Sequence, residues 1–383
     1  MGNVAGTCDP AFAAVREVFE ASLAAGADLG AAVAVFVRGR PVVDLWGGTA
    51  DRRTGRAWEA DTPCVAFSSG KAVTAVAALA VMRRTGIEPE TPVVDWWPEF
   101  GAHGKDAVTT EHLFTHSAGL PVLERPITKA EAADPAAMAA ELAGQAPLWE
   151  PGTRHGYHAL TYGWLVGELV RRGTGRSVGE FVRELVDGEL WFGPPAEVIA
   201  KAARLEFPAA HEMTWEPGDS ASADAVIGRL AAAYRDPDSL LMRSSTNPRG
   251  SHNDPAVLAG GWPASGLVAT ARGLAGFYRD LLGGALIPES LLRDAVRERV
   301  RGADEVLLLD SAFGLGMMLP SQTLPVPEAA RAGAFGHPGA GGSLGLADPD
   351  HDLAFAFVPN MRREALAGDR RAEDLLAAVY AAL

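Results

Sequence analysis

The sequence predicts an α+β fold in which both chain ends build one antiparallel sheet flanked by helices, with a mainly helical subdomain inserted between them. Three observations carry this expectation. β-rich runs punctuated by tight-turn residues lie near each terminus. The middle of the chain is Ala-rich with helical periodicity. At 383 residues, the chain is longer than one hydrophobic core usually organises. The expected boundaries are 1–84 together with 258–383 for the sheet subdomain and 85–257 for the helical one. A cleft is expected where the two meet.

Asp9-Pro10 supplies an N-cap and a first-turn proline for an amphipathic helix closing near Gly26. Ala31 to Arg38 and Pro41 to Trp46 then read as two strands hinged at Gly39-Arg40. Further helices are expected at Ser69 to Arg84, Thr109 to His116, Ala130 to Gly144, Leu160 to Gly173, Val178 to Val186 and Asp224 to Tyr234. Pro/Gly breaks such as Pro151-Gly152 and Glu216-Pro217-Gly218 separate them. Near the C-terminus, Ala312 to Leu319, Gly342 to Leu346 and Leu353 to Val358 read as strands. The last two turn through Asp348-Pro349-Asp350, and a helix over Ala372 to Leu383 follows.

A formal charge of −14 without any basic run argues against nucleic acid as a partner, because phosphate contact needs concentrated positive charge. No secretory signal is legible in Met1 to Glu20, and the longest apolar stretch, Ala72 to Met82, is too short to span a bilayer. Cys8 and Cys64 are too few for a disulfide framework. A soluble cytoplasmic protein with unpaired thiols is the expectation.

Chemistry is suggested first at Ser68-Ser69-Gly70-Lys71, where an apolar strand-like run turns into the most apolar helix of the chain. Residues three apart share a helix face, so the Ser68 hydroxyl and the Lys71 amine can meet. A lysine whose pKa is depressed can take a serine proton, and a helix start offers free N–H groups to an oxyanion. A serine cap followed by a solvated lysine is the ordinary alternative. Tyr157, on a loop before a helix, could relay a proton to a leaving group, although a lone tyrosine is more often a packing residue.

Gly336 to Gly345 is dense in glycine, which lets a strand backbone approach a ligand and contribute an N–H. Within it, Gly341-Gly342-Ser343-Leu344-Gly345 matches a nucleophile elbow, but that motif needs strand, turn and helix. A hairpin follows here, so the match reads as false. His112 and His116 are four apart, yet the acidic pattern of a zinc helix is missing, and His211-Glu212 lacks a second histidine. No metal site or cofactor is expected.

Taken together, Phe67-Ser68-Ser69-Gly70-Lys71, Val108 to Leu120, Pro151-Gly152-Thr153 to Tyr157, and Gly336-His337-Pro338-Gly339 resemble, in order and separation, the serine β-lactamase-like superfamily. The chain is similar in particular to family VIII carboxylesterases, relatives of class C β-lactamases and DD-peptidases. The resemblance implies the β-lactamase/transpeptidase fold. It implies that Ser68 is acylated, that Lys71 takes its proton, and that Tyr157 acts with Lys71 as base and acid. An oxyanion hole between the N–H groups of Ser68 and Ala340 follows, with His337, Gly339 and Ala159 facing substrate.

Two departures bear on substrate. Ala159 stands where class C enzymes carry an asparagine, and His337-Pro338-Gly339 stands where they carry Lys-Thr-Gly. Both weaken recognition of carboxylated β-lactams, while simple esters need neither contact. Any carboxylate affinity at His337 should then strengthen as pH falls below about 6.5. The expected activity is hydrolysis of small or medium carboxylic esters through an acyl-serine. The alternatives are acyl transfer in secondary metabolism, an amidase of β-lactamase or DD-peptidase type, and a non-catalytic binding protein.

Overall fold

The computed structural model describes residues 4–207, 221–363 and 369–383. His211-Glu212 and the Glu216-Pro217-Gly218 break lie outside them. In chain order the strands are β1 (Ala5–Cys8), β2 (Gly30–Val37), β3 (Arg40–Asp51), β4 (Arg56–Ala57), β5 (Cys64–Phe67) and β6 (Leu190–Phe192), then β7 (Leu267–Ala269), β8 (Val300–Ala303), β9 (Asp310–Phe313), β10 (Phe335–Pro338), β11 (Leu344–Asp348) and β12 (Leu353–Pro359). The main sheet runs β1-β3-β2-β12-β11-β10, with β4 paired to β3, and all its pairs are antiparallel. Its strands come from the two chain ends and meet where β12 pairs β2. A second sheet runs β5-β7-β6, and β8 pairs β9.

The central strands are apolar on both faces because each face is covered. Val33 and Val35 of β2, with Phe355 and Phe357 of β12, pack in one cluster with Val15, Phe19, Leu375 and Leu376 from helices Ala13–Ala24 and Arg370–Tyr380. Ala32, Ala34, Ala354 and Ala356 point the other way, into the cluster that holds Leu274, Phe277 and Tyr278 of helix Ala271–Leu282. The period of two along each strand sorts the large residues from the small, and the small ones let that helix lie close.

Several expectations shift when chain meets chain. The β2–β3 hairpin turns at Arg38-Gly39, one residue before the expected hinge; both have positive φ (51° and 71°), as a two-residue primed turn requires. Ala130 to Gly144 is two helices, Lys129–Ala132 and Pro135–Gly144, because Pro135 cannot sit inside a helix and Asp134 caps the second. Ala312 to Leu319 is not one strand. β9 ends at Phe313, and Gly316, at φ 74°, turns where a Cβ would strike Tyr162 and Ala75; Met318 then bridges Gly336. Helix Ala271–Leu282 and the β5-β7-β6 sheet were not legible in the sequence. Among the described residues, no helix is long and apolar enough to cross a membrane.

Candidate active site

β5 delivers the chain to Ser68, and helix Gly70–Thr85 leaves it. That helix is apolar on every side and buried from Gly70 to Met82. Phe67, the last residue of β5, has φ 46°, a region costly for a bulky residue. The backbone therefore bends sharply just before Ser68. The Ser68 hydroxyl is half-buried, and Lys71 Nζ lies 3.2 Å from its Oγ.

Lys71 is fully buried. Its amine donates to the carbonyl oxygens of Ala159 at 2.7 Å and Ala264 at 3.0 Å, and no carboxylate pairs with it among the described residues. Burial pushes its pKa well below the usual lysine value. A neutral amine has two N–H bonds and one lone pair. With both N–H bonds given to carbonyls, the lone pair is left for the Ser68 proton.

Tyr157 enters from the loop before helix Thr161–Thr174, its ring 4.6 Å below Lys71 Nζ. Burial raises the phenol pKa, and its hydrogen bond with the Ser68 hydroxyl works the other way. On its far side the Tyr157 hydroxyl lies 3.5 Å from His337 Nε2. The His337 Nδ1–H donates to the Pro338 carbonyl at 2.6 Å, which leaves Nε2 as the acceptor facing Tyr157.

His337 is 2% exposed, and burial pushes its pKa down to about 3, with Lys71 adding to the effect. The expected gain of charge below pH 6.5 is therefore incorrect: the ring is neutral through that range because the fold has removed its water.

β10 and the following loop close the opposite wall. Gly339 lies so close to β5 that a Cβ would strike the Ala66 carbonyl and the Ser343 hydroxyl. The Gly339 N–H donates to Ser343 O at 2.7 Å and the Gly342 N–H to Gly339 O at 3.1 Å. The Ser68 and Ala340 N–H groups donate to no protein acceptor among the described residues, and both residues face solvent at least in part. Ser343 stands before β11, and its buried hydroxyl donates to Ala66 O at 2.7 Å. Its elbow-like motif is a seam between strands.

Ser68, Tyr157, Ala159, His337, Gly339 and Ala340 all line one cleft of about 220 Å³. Every site residue expected from the sequence is thus at this wall or directly behind it. Ala159 contributes its carbonyl to Lys71 as well as its small side chain to the cleft.

A family model described as Beta-lactamase matches residues 15–379. The chain belongs to that family. It is 33% identical over 376 residues to the Esterase/beta-lactamase LipL of Mycobacterium tuberculosis (strain ATCC 25618 / H37Rv), covering 94% of this chain and 83% of the relative. A penicillin-binding protein homolog from Caulobacter crescentus matches with TM-score 0.84 and 36% identity, and a family VIII carboxylesterase with 0.86 and 30%. Each covers 100% of both chains. The protein is accordingly a hydrolase of the β-lactamase fold.

Within this β-lactamase-family site, several supporting residues left no legible signal in the sequence. The Asp304 carboxylate, buried, accepts hydrogen bonds from the N–H groups of Tyr157 (3.0 Å), Val306 (2.9 Å) and Leu307 (2.8 Å), and from Ser311 Oγ (2.9 Å). It ties the Tyr157 backbone to a loop about 150 residues away in sequence. His116 Nδ1 accepts from the His158 N–H at 3.0 Å, while His158 Nδ1–H donates to Gly156 O at 2.7 Å and its Nε2 accepts from the Leu120 N–H at 3.0 Å. Burial holds His158 at about 3. His112 completes a capping box with Thr109. His116 and His158 pin backbone around Tyr157.

Proposed function

We propose that this chain is a serine carboxylesterase that cleaves small or medium carboxylic esters through an acyl-Ser68 intermediate. The observation that carries this is Lys71: buried, free of any carboxylate among the described residues, with two carbonyl acceptors and the Ser68 hydroxyl around one nitrogen. The Ser68 oxygen attacks the ester carbonyl as its proton passes to the Lys71 lone pair. The oxyanion is held by the N–H groups of Ser68 and Ala340. Tyr157, kept protonated by burial, gives its proton to the leaving alkoxide and is reprotonated from Lys71. Water attacks the acyl-enzyme by the reverse relay and releases the acid.

The small cleft supports a small substrate. His337, neutral, offers no cation to a carboxylate beside the scissile bond, and Ala159 offers no amide; both favour esters over β-lactams. The test is kcat/KM for a short p-nitrophenyl ester against nitrocefin with one preparation at neutral pH. The ester should be turned over much faster. Nitrocefin turnover equal to or above the ester rate overturns the esterase assignment.

A further inference from the structure

A second cavity of about 420 Å³ opens behind Phe67, the residue before Ser68. Lys129, Phe207, Arg249, His252 and Arg362 are among its lining, and none of its lining among the described residues is acidic. In a chain of net charge −14 this is unusual. Lys129 is committed to Asp254 at 2.6 Å. Arg249 and Arg362 pair with no carboxylate among the described residues.

Arg362 is the joint between the two cavities, since it also lines the cleft that holds Ser68. Its guanidinium carbon lies 5.4 Å from the Phe67 ring and 5.5 Å from that of Phe207, so two aromatic faces hold the fork in place. Its Nε is shut off from solvent and has no hydrogen-bond partner among the described residues. His252 packs edge-on to Phe67 with ring centroids 4.8 Å apart, and its Nε2 is likewise unpartnered. A partly desolvated guanidinium, oriented and without a counter-charge, is suited to a planar anion that meets its fork with two hydrogen bonds.

We propose that the catalytic cleft continues past Arg362 into a cationic subsite, formed with Arg249, that holds a carboxylate at the end of the substrate remote from the scissile ester. The inference rests on the esterase reading above and narrows its substrate class to half-esters and similar carboxylated esters. The anion sits beside Phe67, away from the His337 position where β-lactam carboxylates are read in class C relatives.

The experiment compares kcat/KM for p-nitrophenyl butyrate and mono-p-nitrophenyl glutarate in the wild type, Arg249→Gln and Arg362→Gln. The wild type should favour the half-ester about tenfold or more, and each variant should reduce that ratio about tenfold; the ratio cancels any general loss of activity. Calorimetric titration with glutarate, glutaramide and inorganic phosphate reads the subsite without turnover. Glutarate binding that is weakened in both variants, with no glutaramide binding, supports the proposal. Equal ratios in all three proteins, with glutarate affinity unchanged by either substitution, overturn the subsite and leave the esterase reading standing. Phosphate bound more tightly than glutarate overturns the carboxylate assignment. If neither ester is cleaved, the esterase reading fails, and the titration alone decides the subsite.

Discussion

Arg371, in the C-terminal helix, donates from Nη2 to the Gly341 carbonyl at 2.8 Å, one residue beyond Ala340. The same guanidinium is paired with Asp369 at 2.7 Å and Asp28 at 2.6 Å, and it also donates to Met361 O at 3.0 Å. It is 7% exposed. Gly342 has no room for a Cβ against this pair. The loop that carries the proposed Ala340 donor is therefore held by a buried charge cluster tied to both chain ends.

Arg371→Lys keeps the charge and loses the planar fork, so the loop should loosen. We expect kcat per active site, counted by fluorophosphonate titration, to fall at least about tenfold, with KM changed little, since an oxyanion contact forms in the transition state. Arg371→Met should also destabilise by about 3–5 kcal/mol, because two buried carboxylates lose their partner. An unchanged kcat per titrated site in Arg371→Lys would show that the loop does not depend on this contact.

Ser68→Ala should remove ester hydrolysis by about 10⁴-fold or more. Ser343→Ala should keep a substantial fraction and lose about 1 kcal/mol of stability with its hydrogen bond to Ala66. Assay of both variants beside thermal melts separates them. Activity surviving in Ser68→Ala and abolished in Ser343→Ala would reverse the assignment of the nucleophile.

Lys71→Ala and Tyr157→Phe should each lower kcat by about 10²–10⁴-fold, and the double variant little further, because the proposed proton path runs through both. Fully additive losses in that cycle would argue for two independent roles.

The pH profile follows from the direction of two shifts. Lys71 must be neutral to accept a proton, so kcat/KM falls as pH drops through its lowered pKa. Tyr157 must stay protonated, and its raised pKa keeps it so into the alkaline range. His337, near 3, stays neutral over that range and sets neither limb. The acid limb of His337→Asn should coincide with that of the wild type even if the rate is lower. A limb that moves in this variant would place the controlling titration at His337.

How far the sequence reached depends on how local the cause was. The first helix, the β2–β3 pair, the β11–β12 hairpin and the helix after Ser68 each follow from their own caps, turns and periodicity. Ser68 and Lys71 share one helical turn, so their meeting is set by spacing alone. Tyr157 and His337 are remote in sequence, and the order of the four blocks, more than any local pattern, pointed to them.

The sequence by itself determined the fold class, the pairing of the two ends in one sheet and the residues gathered at the cleft. Tertiary structure alone decided their ionisation and support, because burial and long-range partners have no local signature. The water excluded around Lys71 and His337 lowers the pKa of both groups. Asp304 and Arg371 reach backbone groups far away in the chain, and the Arg362 guanidinium lies near the rings of both Phe67 and Phe207, which are remote from each other in sequence.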